Sequence, residues 1–303
     1  MNKKLSIVIP CYNSEKMIEK VIDETVRQLD ELNINKYEFV LVNDKSSDNT
    51  FEIIAKLANQ RHYIKAIDLA KNSGQHNALI TGLRFGDGDI FVGMDDDMQT
   101  HPSQLKFLLD KLEEGYDIVY GTYPNKKSNW FRKIGSNFNS FTYSKLIDKP
   151  MEMKISSYWV AKKFIIDEVV KYPSSYINLQ GIFLRTTSNY TNVKIEHFDR
   201  MSGKSGYSLK RLIRLWSAAL NYSILPLRFS FNIAILLSIV VLVQLVFGLF
   251  KGQIPFMLIW FEIIMVMLFF VIGILGEYIG RILMINTNDP QSVVRQYIYK
   301  GKK

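Results

Sequence analysis

Three consecutive carboxylates, Asp95-Asp96-Asp97, follow at once on the apolar run from Ile90 to Met94, and they are the densest chemistry in the chain. Alternate side chains of an extended segment point the same way. Asp95, Asp97 and Gln99 can therefore face one hard cation, Mg²⁺ or Mn²⁺, of the kind that shares its oxygen ligands with substrate phosphates. A solvated acidic turn is the competing reading of such a run taken alone. Other polar groups stand just beyond apolar runs, at Tyr12-Asn13, Asn43-Asp44 and Lys71-Asn72. Gly203-Lys204-Ser205 ends like a phosphate-binding loop, but that loop needs a glycine at position 198, where Phe198 stands. His62, His76, His101 and His197 lack any zinc spacing. His101 reads as a residue at a helix start. The single cysteine, Cys11, cannot form an internal disulfide, in keeping with a reducing compartment.

These residues need a scaffold that places them on one edge. Strand-like runs occur at Leu5 to Pro10, Tyr37 to Val42, Ile64 to Leu69, Ile90 to Met94 and Asp117 to Tyr120. Between them, helical spacing appears at Met17 to Leu32, Phe51 to Leu57 and Asn77 to Phe85, and from the Thr100 to Ser103 region to Gly115. Strands alternating with helices imply a mostly parallel, doubly wound α/β sheet, with ligands beyond the carboxyl ends of its strands. All the groups named above except the histidines and the 203–205 triplet fall there. Further on, Ser128 to Ile147 and Trp159 to Tyr172 read as helices. Leu209 to Leu220 puts Leu209, Leu212, Ile213, Trp216 and Leu220 on one face with Lys210, Arg211 and Arg214 opposite, an interfacial helix by its position.

The chain has 303 residues and a formal charge of +9. Its mean hydropathy of zero averages two different solvents. Phe231 to Phe250 carries no formal charge, and Ile254 to Ile279 carries only Glu262 and Glu277. Each is long enough to cross a hydrocarbon core of roughly 30 Å as a helix. The short link at Lys251 makes the two spans antiparallel neighbours. Gln244 and Glu262 then fall at similar depth and are expected to face inward. Positive charge is spread and gathers near these spans (Lys204, Arg228, Arg281, Arg295), which favours anionic lipid over nucleic acid. The run Leu5 to Pro10 is too short for a signal peptide, so the polar part is expected to stay in the cytoplasm.

Taken together, these segments resemble the family 2 glycosyltransferases of GT-A fold. Ile7-Val-Ile-Pro-Cys-Tyr-Asn-Ser-Glu15 resembles the family's V-I-P-x-Y-N-E opening with one residue inserted. Val42-Asn-Asp-Lys-Ser-Ser-Asp-Asn-Thr50 resembles its V-D-D-G-S-x-D-x-T turn, with Asn43 and Lys45 as departures. Lys71-Asn-Ser-Gly-Gln-His-Asn-Ala78 matches R-N-x-G-x-x-x-A, and Asp95-x-Asp97-x-Gln99 matches the D-x-D-x-Q metal motif. Arg200-Met-Ser-Gly-Lys-Ser-Gly-Tyr207 and Gly273-Ile-Leu-Gly-Glu-Tyr-Ile-Gly-Arg281 narrow the resemblance to polyprenyl-phosphate glycosyltransferases, such as dolichol-phosphate mannose synthases and bactoprenol glucosyltransferases. Gly206 stands where that subfamily usually has lysine. Ser156 and Ser157 stand where many relatives carry an acid.

The resemblance implies that Pro10, Tyr12, Asn13, Glu15, Asp44, Ser46, Lys71, Asn72, Asp95 and Asp96 surround a nucleotide diphosphate sugar, with UDP-glucose the first expectation. It implies Asp95, Asp97 and Gln99 as ligands of Mg²⁺ or Mn²⁺. Arg200, Lys204, Ser205 and Tyr207 are implied at the lipid phosphate, with Asp97, Arg200 and Lys204 as the catalytic set. The implied reaction is an inverting transfer to polyprenyl phosphate. A family 2 enzyme acting on a hydroxyl acceptor is the alternative, and a non-catalytic membrane scaffold a more distant one. The expected organisation is a GT-A domain (1–205), an amphipathic juxtamembrane segment (206–229), a two-helix membrane hairpin (230–283) and a basic tail (284–303). This describes a multi-pass protein of the bacterial cytoplasmic membrane with both ends cytoplasmic, in contact with membrane lipids. The hairpin also offers a surface for joining copies of the chain.

Overall fold

The computed structural model describes residues 3–99, 101–123, 153–172, 178–196, 255–286 and 290–301, with single positions at 235, 239, 243 and 246. Ser128 to Ile147, the motif at 200–207, the Leu209 to Leu220 segment and the run 231–250 lie outside the described residues, apart from those four positions. The side chains of Gln244 and Glu262 lie outside them as well.

Four parallel strands carry the site. They are β1 (Leu5–Cys11), β2 (Tyr37–Asn43), β3 (Ile64–Leu69) and β4 (Ile90–Gly93), and nearly every residue in them is buried. Continuous apolar runs of this kind need cover on both sheet faces. Helices α1 (Ile18–Glu31), α2 (Thr50–Gln60) and α4 (Leu105–Glu113) pack on one face, over Ile7, Ile9, Phe39 and Leu41. Helix α3 (Gln75–Phe85) packs on the other, over Val8, Val40 and Val42. There it is joined by α5 (Lys163–Val169) and α6 (Leu179–Thr186). The sheet is completed by β5 (Ile118–Thr122), β6 (Trp159–Lys162), β7 (Tyr190–Lys194) and β8 (Val294–Tyr299). Its order is β7-β5-β6-β4-β1-β2-β3-β8, with β6 and β8 antiparallel to their neighbours.

Three features differ from the sequence expectation. The stretch from Trp159 to Tyr172 is not one helix. Its first four residues form β6, and the helix is confined to Lys163–Val169. Tyr158 and Val160 enter one core while Trp159 and Ala161 enter the other, a period of two that four residues cannot announce. β6 also stands between β4 and β5, which adjacency in sequence would have made neighbours. Finally, residues 294–299, expected in a basic tail, form the edge strand β8 beside β3.

Helix α7 (Pro255–Asn286) is about 48 Å long at 1.5 Å per residue. It contains the apolar window Ile263–Gly280, none of which is buried against the rest of the protein. Among the described residues it is the one helix long and apolar enough to cross a membrane. Phe261, Phe270 and Ile279 are all largely exposed on it.

Candidate active site

The carboxyl edge of the sheet gathers four loops. After β4, Met94 is buried and the chain then turns through Asp95-Asp96-Asp97, with Met98 at φ 61° reversing its direction. Asp95 accepts a hydrogen bond from Gln75 Nε2 at 2.9 Å and another from the Ser157 hydroxyl. Burial, with the charges of Asp97 and Asp96 beside it, pushes the Asp95 carboxyl up to about 6 against the pull of those two bonds. Asp96 points towards β1, where it accepts from the Tyr12 N–H at 3.3 Å and from the Ser14 hydroxyl. Burial raises it as well. Asp97 accepts the Gln99 N–H at 3.1 Å, which closes the turn. The three neighbouring carboxylates thus divide their work: Asp96 brackets the loops after β4 and β1, Asp95 is held by Gln75 and Ser157, and Asp97 closes its own turn.

The loops after β1 and β2 form one unit. Asn13, at φ 55°, donates its N–H to Ser46 Oγ at 3.0 Å, and its Oδ1 accepts the Ser47 N–H at 3.0 Å. Glu15 Oε2 accepts from the Asn49 N–H at 3.1 Å, and the Glu15 N–H donates to Asp48 Oδ2 at 3.2 Å. Both acids lie at the N-terminus of α2, where negative charge is favoured. In this structure Glu15 ties that helix start to the β1 loop. Asp44 is only 4% exposed and accepts the N–H groups of Ser73 at 2.6 Å and Gly74 at 2.9 Å. Burial pushes its carboxyl up, and those amides hold it back. Gly74 sits at φ 85°, a conformation that side chains disfavour. Asn72 donates to the Asp44 carbonyl at 3.0 Å, while Lys71 is exposed. Pro10 is buried in β1 opposite Val42, Cys11 ends the strand, and Tyr12 beyond it is 55% exposed, with its ring available to a flat ligand.

The edge therefore brings together Pro10, Tyr12, Asn13, Glu15, Asp44, Ser46, Lys71, Asn72 and Asp95 to Gln99. Arg200, Lys204, Ser205 and Tyr207 lie outside the described residues. Two residues join beyond the expected set: Ser157, noted in the sequence only as standing where many relatives carry an acid, and Tyr123, which the sequence reading did not single out. Ser157 bonds to Asp95, and the phenol of Tyr123 is raised by burial and by the charges of Asp95 and Asp97. Their approach to Asp95 has no local signal, because each is delivered by a strand whose place in the sheet is set by distant pairing. His101 takes the structural part expected of it, accepting the Ser103 N–H at the turn that starts at Pro102. Cys11 is packed in the core with its thiol pushed up by burial, which leaves it inert.

No group of three or more His, Cys, Asp or Glu among the described residues is arranged to enclose a metal ion by itself. A pair of carboxylates at an open edge suits a hard cation that takes its remaining oxygens from substrate phosphates and water. The donor chemistry of Asp95 and Asp97 fits such an ion.

Comparison with known proteins agrees with this layout. The model of glycosyl transferase family 2 matches residues 6–170. The chain is similar to undecaprenyl-phosphate 4-deoxy-4-formamido-L-arabinose transferase of Proteus mirabilis (strain HI4320), with 32% identity over 98% of this chain and 93% of that protein. Among solved structures it is similar to glucosyl-3-phosphoglycerate synthase of Mycobacterium tuberculosis, at a TM-score of 0.52 and 20% identity, covering 73% of this chain and 81% of that one. The same enzyme in complex with Mn²⁺, uridine diphosphate and phosphoglyceric acid gives a TM-score of 0.53 at 19% identity, covering 73% and 78%. At that identity the likeness speaks for the fold.

Proposed function

The chain belongs to glycosyl transferase family 2, and on that premise we propose that it transfers a sugar from a nucleoside diphosphate to polyprenyl phosphate at the cytoplasmic face of a bacterial membrane. The observation that carries the proposal is the route of the chain between α7 and β8. Val294, at the start of β8, pairs with Leu69 at the carboxyl end of β3. Just before it, Val293 O accepts the Ala70 N–H at 2.8 Å, and Ser292 Oγ lies 2.5 Å from Thr81 Oγ1. The five Cα-to-Cα steps from Asn286 to Gln291 can span at most roughly 17 Å. The membrane helix therefore delivers the chain to the same sheet edge that carries Asp44 and Asp95 to Asp97. An acceptor living in the bilayer meets the donor site at that edge.

The same route supports two crossings. β1 and β8 lie in one sheet, so the chain returns to the side it left. With one span in α7, a second crossing falls between residues 197 and 254, where the apolar run 231–250 is available. This favours the domain at 1–205 completed by β8, the juxtamembrane segment 206–229 and the hairpin 230–283, with both ends cytoplasmic.

Pro10, Tyr12, Asn13, Asp44 and Ser46 would receive the base and ribose, with Glu15 holding the α2 start behind them. Lys71, Asn72, Asp95 and Asp96 complete the donor side. A divalent cation, Mg²⁺ or Mn²⁺, held by Asp95, Asp97 and Gln99 would offset the charge of the departing diphosphate. Arg200, Lys204, Ser205 and Tyr207 are proposed for the lipid phosphate. One of its oxygens attacks the anomeric carbon while the bond to the β-phosphate breaks on the opposite side, and the nucleoside diphosphate leaves with the electron pair. An anionic phosphate needs no strong general base, unlike a hydroxyl. Ser157, where relatives place an acid, instead holds Asp95 in place.

The test is incubation of the purified protein with undecaprenyl phosphate, Mg²⁺ or Mn²⁺ and a panel of nucleotide sugars led by UDP-glucose, with mass spectrometry of the lipid. A lipid-phosphate sugar is expected. Transfer to a hydroxyl acceptor with none to the phosphate would overturn the acceptor assignment.

A further inference from the structure

Strand β8 does more than cover the sheet edge. Gln296 pairs with Asp68 and Val294 with Leu69, so Arg295 is the extra residue of a bulge. Bulges re-aim side chains, and this one sends Arg295 across to β3. Its Nη2 donates to the Ala70 carbonyl at 3.1 Å, and its Nη1 lies 3.6 Å from Asp68 Oδ2. Asp68 is 5% exposed, and its other oxygen accepts from Asn43 Nδ2 at 2.7 Å. Asn43 is the last residue of β2, paired with Asp68 in register and 2% exposed. Its own Oδ1 accepts the Ser46 N–H at 3.2 Å and so closes the turn 43–46 around Asp44 and the left-handed Lys45.

An asparagine amide can satisfy either orientation, and here its neighbours choose one. Asp68 can only accept, so Nδ2 faces it and Oδ1 is left for Ser46. Asp68 in turn is a buried carboxylate, which needs a cation or donors to stay where it is. Arg295 supplies one from the far side of β3.

We propose that Asp68 and Arg295 are positioning residues for the nucleotide. They lock the Asn43 amide and, through it, the turn that presents Asp44 and Ser46, so the donor half of the site is complete only with the C-terminal strand docked. This rests on the nucleoside diphosphate reading above.

The test uses the full-length protein in nanodiscs, as wild type, Arg295→Ala, Arg295→Lys and Asp68→Asn. Calorimetric titration with UDP and GDP in the presence of Mn²⁺ gives Kd, and steady-state assays give KM and kcat for the donor. Hydrogen exchange follows the amides of residues 44–47 and 294–299. Arg295→Ala and Asp68→Asn should raise Kd and KM about five- to twentyfold while kcat stays within about twofold. Both should also lose protection at 44–47, and Arg295→Lys should recover most of both effects. Asp68→Asn keeps the Arg295 bond to Ala70, so β8 stays protected in it and separates a relay from simple undocking. Unchanged Kd, KM and 44–47 protection in Asp68→Asn and Arg295→Ala would overturn the inference. So would a loss confined to kcat. A wild type that binds neither nucleotide, while the variants still lose protection at 44–47, overturns the donor reading and leaves the relay standing as a fold device.

Discussion

Asn43 departs from the family's aspartate, and the structure makes that departure testable through Asn43→Asp. The wild-type amide donates to buried Asp68 at 2.7 Å. A hydrogen bond to a charged group contributes about 1.5–3 kcal/mol, and a carboxylate at 43 cannot make it. Two carboxylates at roughly 4 Å repel by about 4 kcal/mol at an effective dielectric constant of 20. The pair can escape by binding one proton, which at pH 7 costs an ordinary aspartate about 4 kcal/mol. The expected loss is therefore about 2–4 kcal/mol near neutral pH, or about 5–15 °C in Tm for a domain of this size. The sign with pH follows from linkage. The folded pair has a raised pKa and holds more protons than the unfolded chain, so the deficit shrinks as pH falls towards 5. In Asn43→Asp/Asp68→Asn the donor and acceptor exchange places, and at least half of the loss should return. Tryptophan fluorescence melts at pH 8 and pH 5.5 read all four corners of the cycle. A deficit at pH 8 below about 0.5 kcal/mol, or one that grows on acidification, refutes the reasoning.

Asp97→Ala should lower kcat by about 10²–10³-fold, the usual loss for removing one preorganised group at a developing charge, while Tm stays within about 2 °C. EDTA should abolish turnover in the wild type, and Mn²⁺ should restore it. Calorimetric Mn²⁺ binding should weaken about tenfold per pH unit below about 6, as Asp95 takes up its proton. Ser157→Ala removes a bond that holds this carboxyl down, so the acid limb should move to higher pH; a limb that stays put counts against the Ser157 role. A Cβ at Gly93 would lie 2.3–2.5 Å from the Trp159 indole. Gly93→Ala should therefore cost about 1–3 kcal/mol, and the double variant with Trp159→Leu should recover part of it in the same melts.

The half of the fold that was legible in the sequence is the half whose strands are buried on both faces and separated by helices. Leu5 to Pro10 and Ile64 to Leu69 are strong local signals, because every position in them is buried. The mixed half was not legible for the opposite reason. Trp159 to Lys162 is a four-residue strand whose identity depends on Gly93 leaving room for its indole across the sheet. β8 follows the long apolar helix α7 and pairs with a strand more than two hundred residues earlier. Of the site, the acidic run and the loops after β1 to β3 declared themselves by position. Ser157 stood out only as a departure from the family's acid and Tyr123 not at all, since nothing near them in sequence says which strand edge they will reach. The division among the three aspartates was hidden too. Only the fold shows that Asp96 is occupied with Tyr12 and Ser14, Asp95 with Gln75 and Ser157, and Asp97 with the Gln99 amide.

Direction is what the fold adds to a membrane anchor. Apolar runs say that a chain crosses a bilayer, but not which edge of its catalytic domain faces the lipid. Here the decision falls to β8 being antiparallel to β3. Had the C-terminal strand been parallel, the chain would have entered the sheet at the amino edge, and α7 would end roughly a strand length, about 20 Å, from Asp44 on the wrong side. On the proposed reading, the antiparallel entry puts the lipid-facing helix and the donor loops at one edge. The bulge that inserts Arg295 then ties the same strand to Asp68 and Asn43 beneath the base loop. On the proposed reading, one short strand both turns the site towards its lipid and braces the turn beside its nucleotide, and a change of its register by a single residue would disturb both.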